Sequence, residues 1–83
     1  MSSEELLSNL IKNLICRSNE DRMEFADLIE ELEKRVGENL NMFIVRKAIS
    51  SLIRSGCIKR GADYIRARHY IVVSPQCCSA QES

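Results

Sequence analysis

The sequence has no tryptophan, one proline, one histidine and three glycines among its 83 residues, and aromatic residues make up only 5%. It also has no apolar run of the roughly 18 residues that a membrane-spanning helix needs, so we expect no membrane segment. Hydrophobic residues make up 45% and charged residues 29%, which is typical of a folded domain rather than a disordered one. A chain of this length supports one domain with one core, which leaves little room for a deep substrate pocket.

Net charge is absent as well, because twelve Lys and Arg residues balance twelve Asp and Glu residues. A total of zero argues against a protein that binds polyanions over its whole surface. The charges are nevertheless separated along the chain. Residues 1–39 contain ten acidic and five basic residues, a net charge of −5, whereas residues 40–83 contain two acidic and seven basic residues, a net charge of +5. The sequence therefore predicts one acidic and one basic half.

The four cysteines are Cys16, Cys57, Cys77 and Cys78. Cys16 and Cys57 lie among apolar residues, and the spacing does not resemble the paired C-x-x-C arrangement of a zinc site. We therefore expect core or free thiols and no metal or other cofactor, although the sequence leaves a redox role for Cys77 and Cys78 open. The acidic N-terminus is unlike a signal peptide. Together these features favour an intracellular protein, in the cytoplasm or the nucleus.

Apolar residues recur at intervals of three and four in three stretches, which predicts three amphipathic helices. The first is expected from Ser3 to Cys16, the second has its apolar stripe from Phe25 to Val36, and the third begins near Asn39 or Asn41 and ends at Gly56. Gly37 follows the second stripe, where a C-terminal cap is expected. The segment Arg17–Arg22 has no apolar residue and is predicted to be a surface loop.

After Gly56 the pattern changes to β-branched and aromatic residues, which favour strands. The expected strands are Cys57–Arg60 and Arg68–Ser74, joined by a hairpin loop over Gly61–Ala67. Pro75 ends the second strand, and residues 76–83 are expected to form a flexible polar tail with no role in the core. The predicted architecture is α+β, with three helices followed by a two-stranded hairpin in one domain over residues 1–75.

The segment Phe43–Arg60 contains the most specific pattern, since Leu52 and Ile53 are followed by Gly56 and then by Ile58. In this pattern the helix packs two apolar residues on the core, the glycine reverses the chain and the next apolar residue returns to the core. It resembles the winged-helix variant of the helix-turn-helix, in which the third helix passes directly into the hairpin, called the wing. The resemblance implies that the third helix and the wing face DNA.

The predicted basic half coincides with the third helix and the wing. Arg46, Lys47, Ser50 and Arg54 are spaced to share one helical face, which could enter a major groove or, as the plainer alternative, could simply be solvated. The predicted DNA-binding residues are Asn41, Arg46, Lys47, Ser50, Ser51, Arg54, Lys59, Arg60, Tyr64, Arg66 and Arg68. The hypothesis is a small protein that binds double-stranded DNA, as a transcriptional regulator does. A homodimer would engage two half-sites, with the leucine-rich first helix as one possible contact face.

A second resemblance provides an alternative function. Phe25–Leu32, Val45–Arg60 and Tyr70 are similar to the C-terminal winged-helix domain of cullins, which are ubiquitin-ligase scaffolds. This resemblance implies a protein-interaction module whose partner belongs to a ubiquitin-ligase-like complex. In cullins a lysine of the first helix receives a ubiquitin-like modifier, and Lys12 lies near that position.

The sequence shows no set of residues typical of an enzyme. His69 lies in a predicted strand without a matching serine or cysteine motif. The three glycines, Gly37, Gly56 and Gly61, stand at the ends of elements and do not form a phosphate-binding loop. We therefore expect a binding protein and not an enzyme.

Overall fold

Helices and strands are interleaved along the chain in a computed structural model that describes residues 3–18 and 21–79. The elements are α1 (Ser3–Arg17), β1 (Arg22–Glu24), α2 (Phe25–Val36), a 3-10 turn (Gly37–Asn39), α3 (Met42–Arg54), β2 (Ile58–Asp63), β3 (Arg68–Val73) and α4 (Pro75–Ser79). The α+β class is therefore confirmed. Within the described ranges it consists of four α-helices and one three-stranded antiparallel sheet.

The three predicted helices are present, and residues at their ends explain where they start and stop. Gly37 ends α2 with φ +85°, a conformation that L side chains rarely adopt, and its N–H donates to the Glu33 carbonyl. Asn41, rather than Asn39, caps α3 through its side chain. Gly56 follows α3 with φ +83° and turns the chain into β2.

The sheet has one strand more than expected. Its order is β1-β3-β2, so that β3 lies in the centre and pairs with Ile58–Asp63 on one side and Arg22–Glu24 on the other. The prediction of a loop over the whole of Arg17–Arg22 is therefore wrong at both ends, because Arg17 is the last residue of α1 and Arg22 lies opposite Val72 in β1. β1 contains no β-branched or aromatic residue, and it becomes a strand because β3 offers its backbone a partner.

The hairpin is also longer than predicted. β2 continues to Asp63, so Gly61–Ala67 is not all loop, and only residues 64–67 form the turn. Gly61 pairs with Tyr70 inside the ladder. Three helices followed by a two-stranded hairpin is consequently too simple a description of this chain.

The C-terminal segment departs most from expectation. Residues 75–79 form α4, and Cys77, only 6% exposed, belongs to the hydrophobic core. Disulfides join Cys16 to Cys78 and Cys57 to Cys77, so the prediction of free thiols is wrong. The fold brings cysteines together that are 62 and 20 positions apart, which the spacing alone did not indicate. Residues 76–79 are thus part of the fold rather than of a flexible tail, while residues 80–83 of the expected tail lie outside the described residues.

The core draws on all four helices and on the strands β2 and β3. Its fully buried side chains include Ile11 and Ile15 of α1, Leu28 and Leu32 of α2, Val45 and Ala48 of α3, Ile58 of β2 and Ile71 of β3. No polar or charged residue is buried in the described parts of the chain. None of the helices in these parts is both long enough and apolar enough to span a bilayer.

Candidate nucleic-acid interface

The outer face of α3 is basic because its inner face supplies the core. Val45, Ala48, Ile49 and Leu52 are buried at intervals of three and four, which leaves the opposite side of the helix to solvent. Arg46, Lys47, Ser50 and Arg54 are all exposed there. The three basic side chains form no ion pair with any described residue. The stripe is thus a set of uncompensated positive charges on a rigid element.

The basic residues of α2 are in a different electrostatic situation. Lys34 Nζ lies 3.8 Å from Glu30 Oε1 and 3.5 Å from Glu31 Oε1. Arg35 lies 4.0 Å from the other carboxylate oxygen of Glu31. These i,i+3 and i,i+4 pairs compensate the positive charges of Lys34 and Arg35 within the surface of α2 itself. Each of the two helices therefore has a pair of adjacent basic residues, but only the pair on α3, Arg46 and Lys47, lacks acidic partners among the described residues.

The wing, defined here as β2, β3 and the turn at residues 64–67, carries further basic residues. Lys59 and Arg60 are exposed and unpaired among the residues described. Lys59 and Arg22 both lie opposite Val72, one on each neighbouring strand, so these two basic side chains share a face of the sheet. The sheet therefore presents two positive charges on either side of an apolar residue.

The tip of the wing is held in shape by an aspartate. Asp63 Oδ1 accepts hydrogen bonds from the backbone N–H of Ile65, at 3.1 Å, and of Arg66, at 3.2 Å. Ala67 completes the turn with φ +52°. Tyr64 and Ile65 are 92% and 97% exposed, so the turn projects two large side chains into solvent.

Four of the eleven predicted DNA-binding residues already have partners within the protein. Asn41 Oδ1 accepts from Phe43 N at 2.9 Å, and the half-buried Ser51 donates its hydroxyl to Glu4 Oε1 at 3.1 Å. Arg66 Nε lies 3.9 Å from Asp63, and Arg68 Nη1 lies 3.4 Å from Glu24. The remaining seven are exposed without such partners in the described chain: Arg46, Lys47, Ser50, Arg54, Lys59, Arg60 and Tyr64.

Sequence reasoning missed Phe43 and Arg22. Phe43 is 65% exposed on the outer face of α3, and Lys47 Nζ lies 4.7 Å from the centre of its ring. Arg22 stacks in the same manner on Tyr70, at 4.8 Å. The spacing contained the signal for Phe43, because it lies four residues before Lys47. Nothing in the sequence indicated the position of Arg22 beside Tyr70, because that position depends on the pairing of β1 with β3.

The surface also has an apolar groove, between the start of α1, the end of α2 and the start of α3. Its volume is about 290 Å³, and its apolar lining consists of Leu6, Leu7, Leu10, Val36, Leu40 and Ile44. Leu6 is 56% exposed. The groove is separate from the basic stripe and carries no charged side chain on its lining.

His69 is exposed on β3 opposite Ala62. No group of three or more His, Cys, Asp or Glu residues is placed to hold a metal ion in residues 3–18 and 21–79.

Comparison with known proteins gave no relative: no family model, no curated protein and no solved structure matches this chain.

Proposed function

We propose that this protein is a winged-helix domain that binds double-stranded DNA through α3 and the wing. The observation that carries the proposal is the outer face of α3, where Arg46, Lys47 and Arg54 are exposed without an acidic partner in the described chain. The order of elements supports it, since α3 follows α2 after a short turn and leads into a hairpin. Transcriptional regulation in the cytoplasm or nucleus is the role such a protein would have.

The dimensions and chemistry of α3 fit a major groove. Arg46 and Arg54 are eight residues apart, which corresponds to about 12 Å along a helix, similar to the width of the groove. Arg and Lys side chains bind phosphates and the O6 and N7 atoms of guanine. The hydroxyl of Ser50 can donate a hydrogen bond to a phosphate or a base, or accept one from a base. Lys59 and Arg60 of the wing then extend the contact to the phosphates of the DNA backbone beside that groove.

The salt dependence of binding tests the proposal. Phosphate contacts by all five unpaired basic residues of α3 and the wing would give a slope of about −4.5 in log K against log salt, or roughly a 500-fold loss of affinity between 50 and 200 mM. The measurement is the fluorescence anisotropy of a labelled 25-base-pair duplex titrated with the full chain. Absence of binding at 50 mM salt would contradict the proposal.

A matched pair of double variants tests the location of the interface. Arg46→Ala with Lys47→Ala removes two unpaired charges from α3, whereas Lys34→Ala with Arg35→Ala removes two paired charges from α2. We expect the α3 variant to bind DNA at least tenfold more weakly and to show a salt slope smaller by about 2. The reason is that each basic side chain that contacts a phosphate releases about one counterion from the DNA. The α2 variant should bind as the parent does. Equal losses in both variants would show that only total charge matters.

A protein partner, as in ubiquitin-ligase scaffolds, is the second candidate function. Two observations favour it: Phe43 is an exposed aromatic residue on the outer face of α3, and the groove beside Leu6 is apolar. Association with a protein would resist nuclease treatment and would be weakened more by Phe43→Ala than by Arg54→Ala. DNA binding predicts the opposite order. A homodimer on two DNA half-sites is tested in the same samples by measuring the molecular mass with and without duplex.

A further inference from the structure

The short helix α4 is bonded to two different parts of the fold by adjacent residues. Cys77 is joined to Cys57, between α3 and β2, and Cys78 is joined to Cys16, in the last turn of α1. The Cα–Cα distances are 4.7 Å and 5.4 Å. Because consecutive residues of a helix point about 100° apart, each cysteine faces its own partner. We call the first the inner disulfide and the second the outer disulfide.

The two disulfides differ in their access to solvent. Cys57 and Cys77 are 7% and 6% exposed and belong to the hydrophobic core, whereas Cys16 and Cys78 are only half-buried. Thiol–disulfide exchange requires a thiolate to approach one sulfur along the S–S axis, so access controls its rate. The inner cysteines are shielded by the core until the fold opens, whereas the outer ones are partly exposed in the folded chain.

The backbone holds the inner disulfide in place as well. The N–H of Cys57 donates to the Leu52 carbonyl at 3.0 Å, and its carbonyl accepts from Ser74 N at 2.9 Å. Cys77 N donates to the carbonyl of Ser74 at 3.0 Å. Both inner cysteines are therefore tied to the segment that links β3 to α4. This attachment does not depend on Cys16 or Cys78.

We propose that the outer disulfide is a thiol-exchange site for small thiols of the glutathione class, and that the inner disulfide is structural. A glutathione thiolate attacks one outer sulfur, forms a mixed disulfide with it and releases the other cysteine as a thiolate, which takes a proton. A second glutathione thiolate then attacks the mixed disulfide and frees the remaining cysteine, which takes a proton in turn. Two glutathione thiols are oxidised to one glutathione disulfide, and one protein disulfide is reduced to two thiols.

Opening of the outer disulfide alone changes the connection of α4. The bond to α1 is lost, while the inner disulfide keeps α4 on the end of α3 and on β2. The fold therefore persists in a partly reduced form, with Cys16 and Cys78 available for modification. In a reducing compartment this site is the first to respond.

The experiment follows the four cysteines separately. The oxidised full chain is incubated with reduced glutathione, stopped with acid, alkylated and mapped by tandem mass spectrometry, which distinguishes the adjacent Cys77 and Cys78. We expect Cys16 and Cys78 to be reduced at least about tenfold faster than Cys57 and Cys77, with glutathione found transiently on Cys16 or Cys78. Simultaneous reduction of all four, or earlier reduction of the inner pair, would overturn the proposal.

A second arm tests the physical cause. In concentrated urea the core no longer shields Cys57 and Cys77, so the two disulfides should react at rates within a few-fold of each other. A large preference that persists in urea would show that burial does not set the order. The variants Cys16→Ser with Cys78→Ser and Cys57→Ser with Cys77→Ser isolate each disulfide. The inner disulfide alone should react at its slow rate and the outer one alone at its fast rate.

Discussion

Asn41 illustrates how one side chain sets the start of an element. Its Oδ1 accepts a hydrogen bond from the backbone N–H of Phe43, 2.9 Å away. This N–H is one of the first four in α3, which have no carbonyl partner within the helix. The sequence placed Asn41 among the DNA-binding residues, whereas its carbonyl oxygen is used inside the protein.

Substitution of Asn41 should therefore lower stability. We expect Asn41→Ala to reduce the free energy of unfolding by about 1 kcal/mol, because the cap is lost. Asn41→Ser keeps a side-chain acceptor and should retain most of that stability. Urea denaturation followed by circular dichroism measures both variants. Equal stability of the alanine variant and the parent would contradict the role of the cap.

At the candidate interface, some charged side chains are likewise already engaged by partners within the protein. Arg68 and Arg66 count as basic residues in the sequence, yet Glu24 and Asp63 lie within 4 Å of them. Exposed pairs of this kind contribute little to stability, but they reduce the positive charge that is available to a phosphate. Arg46 and Arg54 have no such neighbours in the described chain. The unpaired positive charge is thus confined to fewer residues than the charge count suggests, and three of them lie on α3.

At the scale of elements, α2 is attached to the core by only two fully buried side chains, Leu28 and Leu32. Both are 0% exposed and lie one helical turn apart. We expect Leu32→Ala to lower the free energy of unfolding by about 2–5 kcal/mol, since it removes buried methyl groups and leaves a cavity. Val36→Ala, on the same helix but 39% exposed, is the matched control and should cost less than about 1 kcal/mol. Similar losses in the two variants, measured by urea unfolding, would contradict this attachment.

The helices were predictable because the signal for each lies within its own residues. The apolar spacing of α1, α2 and α3 and the glycines that follow α2 and α3 specify them locally. β1 and α4 have no such local signal. β1 is three residues long and depends on pairing with β3, and α4 is five residues long and is held by two disulfides. Elements that exist because of distant partners cannot be identified from local patterns alone.

The candidate site also has a part that local sequence specifies and a part that depends on distant residues. The basic stripe of α3 was predictable because helical periodicity determines which residues share a face. Which of the remaining predicted residues are free was not predictable, since the partners Glu4 and Glu24 come from α1 and β1. Phe43 was overlooked because an aromatic residue beside an apolar stripe is usually assigned to the core.

At the scale of the whole molecule, a net charge of zero hides a division between surfaces. The acidic residues of α2 pair with the basic residues of the same helix, and α3 has no acidic residue at all. Long-range attraction to a polyanion is then directional, because the outer face of α3 carries positive charge whereas α2 has an excess of acidic residues. If the protein binds DNA as proposed, this arrangement would orient an approaching duplex towards α3 without indiscriminate binding over the whole surface.

The small size of the molecule makes its disulfides important for stability. A chain of 83 residues has a small core, and its net stability is of the order of 5–10 kcal/mol. The outer disulfide joins residues 62 positions apart and the inner one residues 20 positions apart. On chain-entropy grounds loops of these lengths stabilise by about 4 and about 3 kcal/mol, and together by less than the sum, because the inner loop lies within the outer one.

Complete reduction should consequently lower the melting temperature substantially. For a domain of this size each kcal/mol corresponds to about 4–8 °C, so we expect the fully reduced chain to melt at least about 15 °C below the oxidised one. The measurement is thermal unfolding by circular dichroism, with reduction verified by alkylation of all four cysteines. A variant with serine at all four positions should melt near the reduced parent and should not respond to the reductant. An unchanged melting temperature after verified reduction would mean that core packing alone holds α4, with the disulfides adding nothing to it.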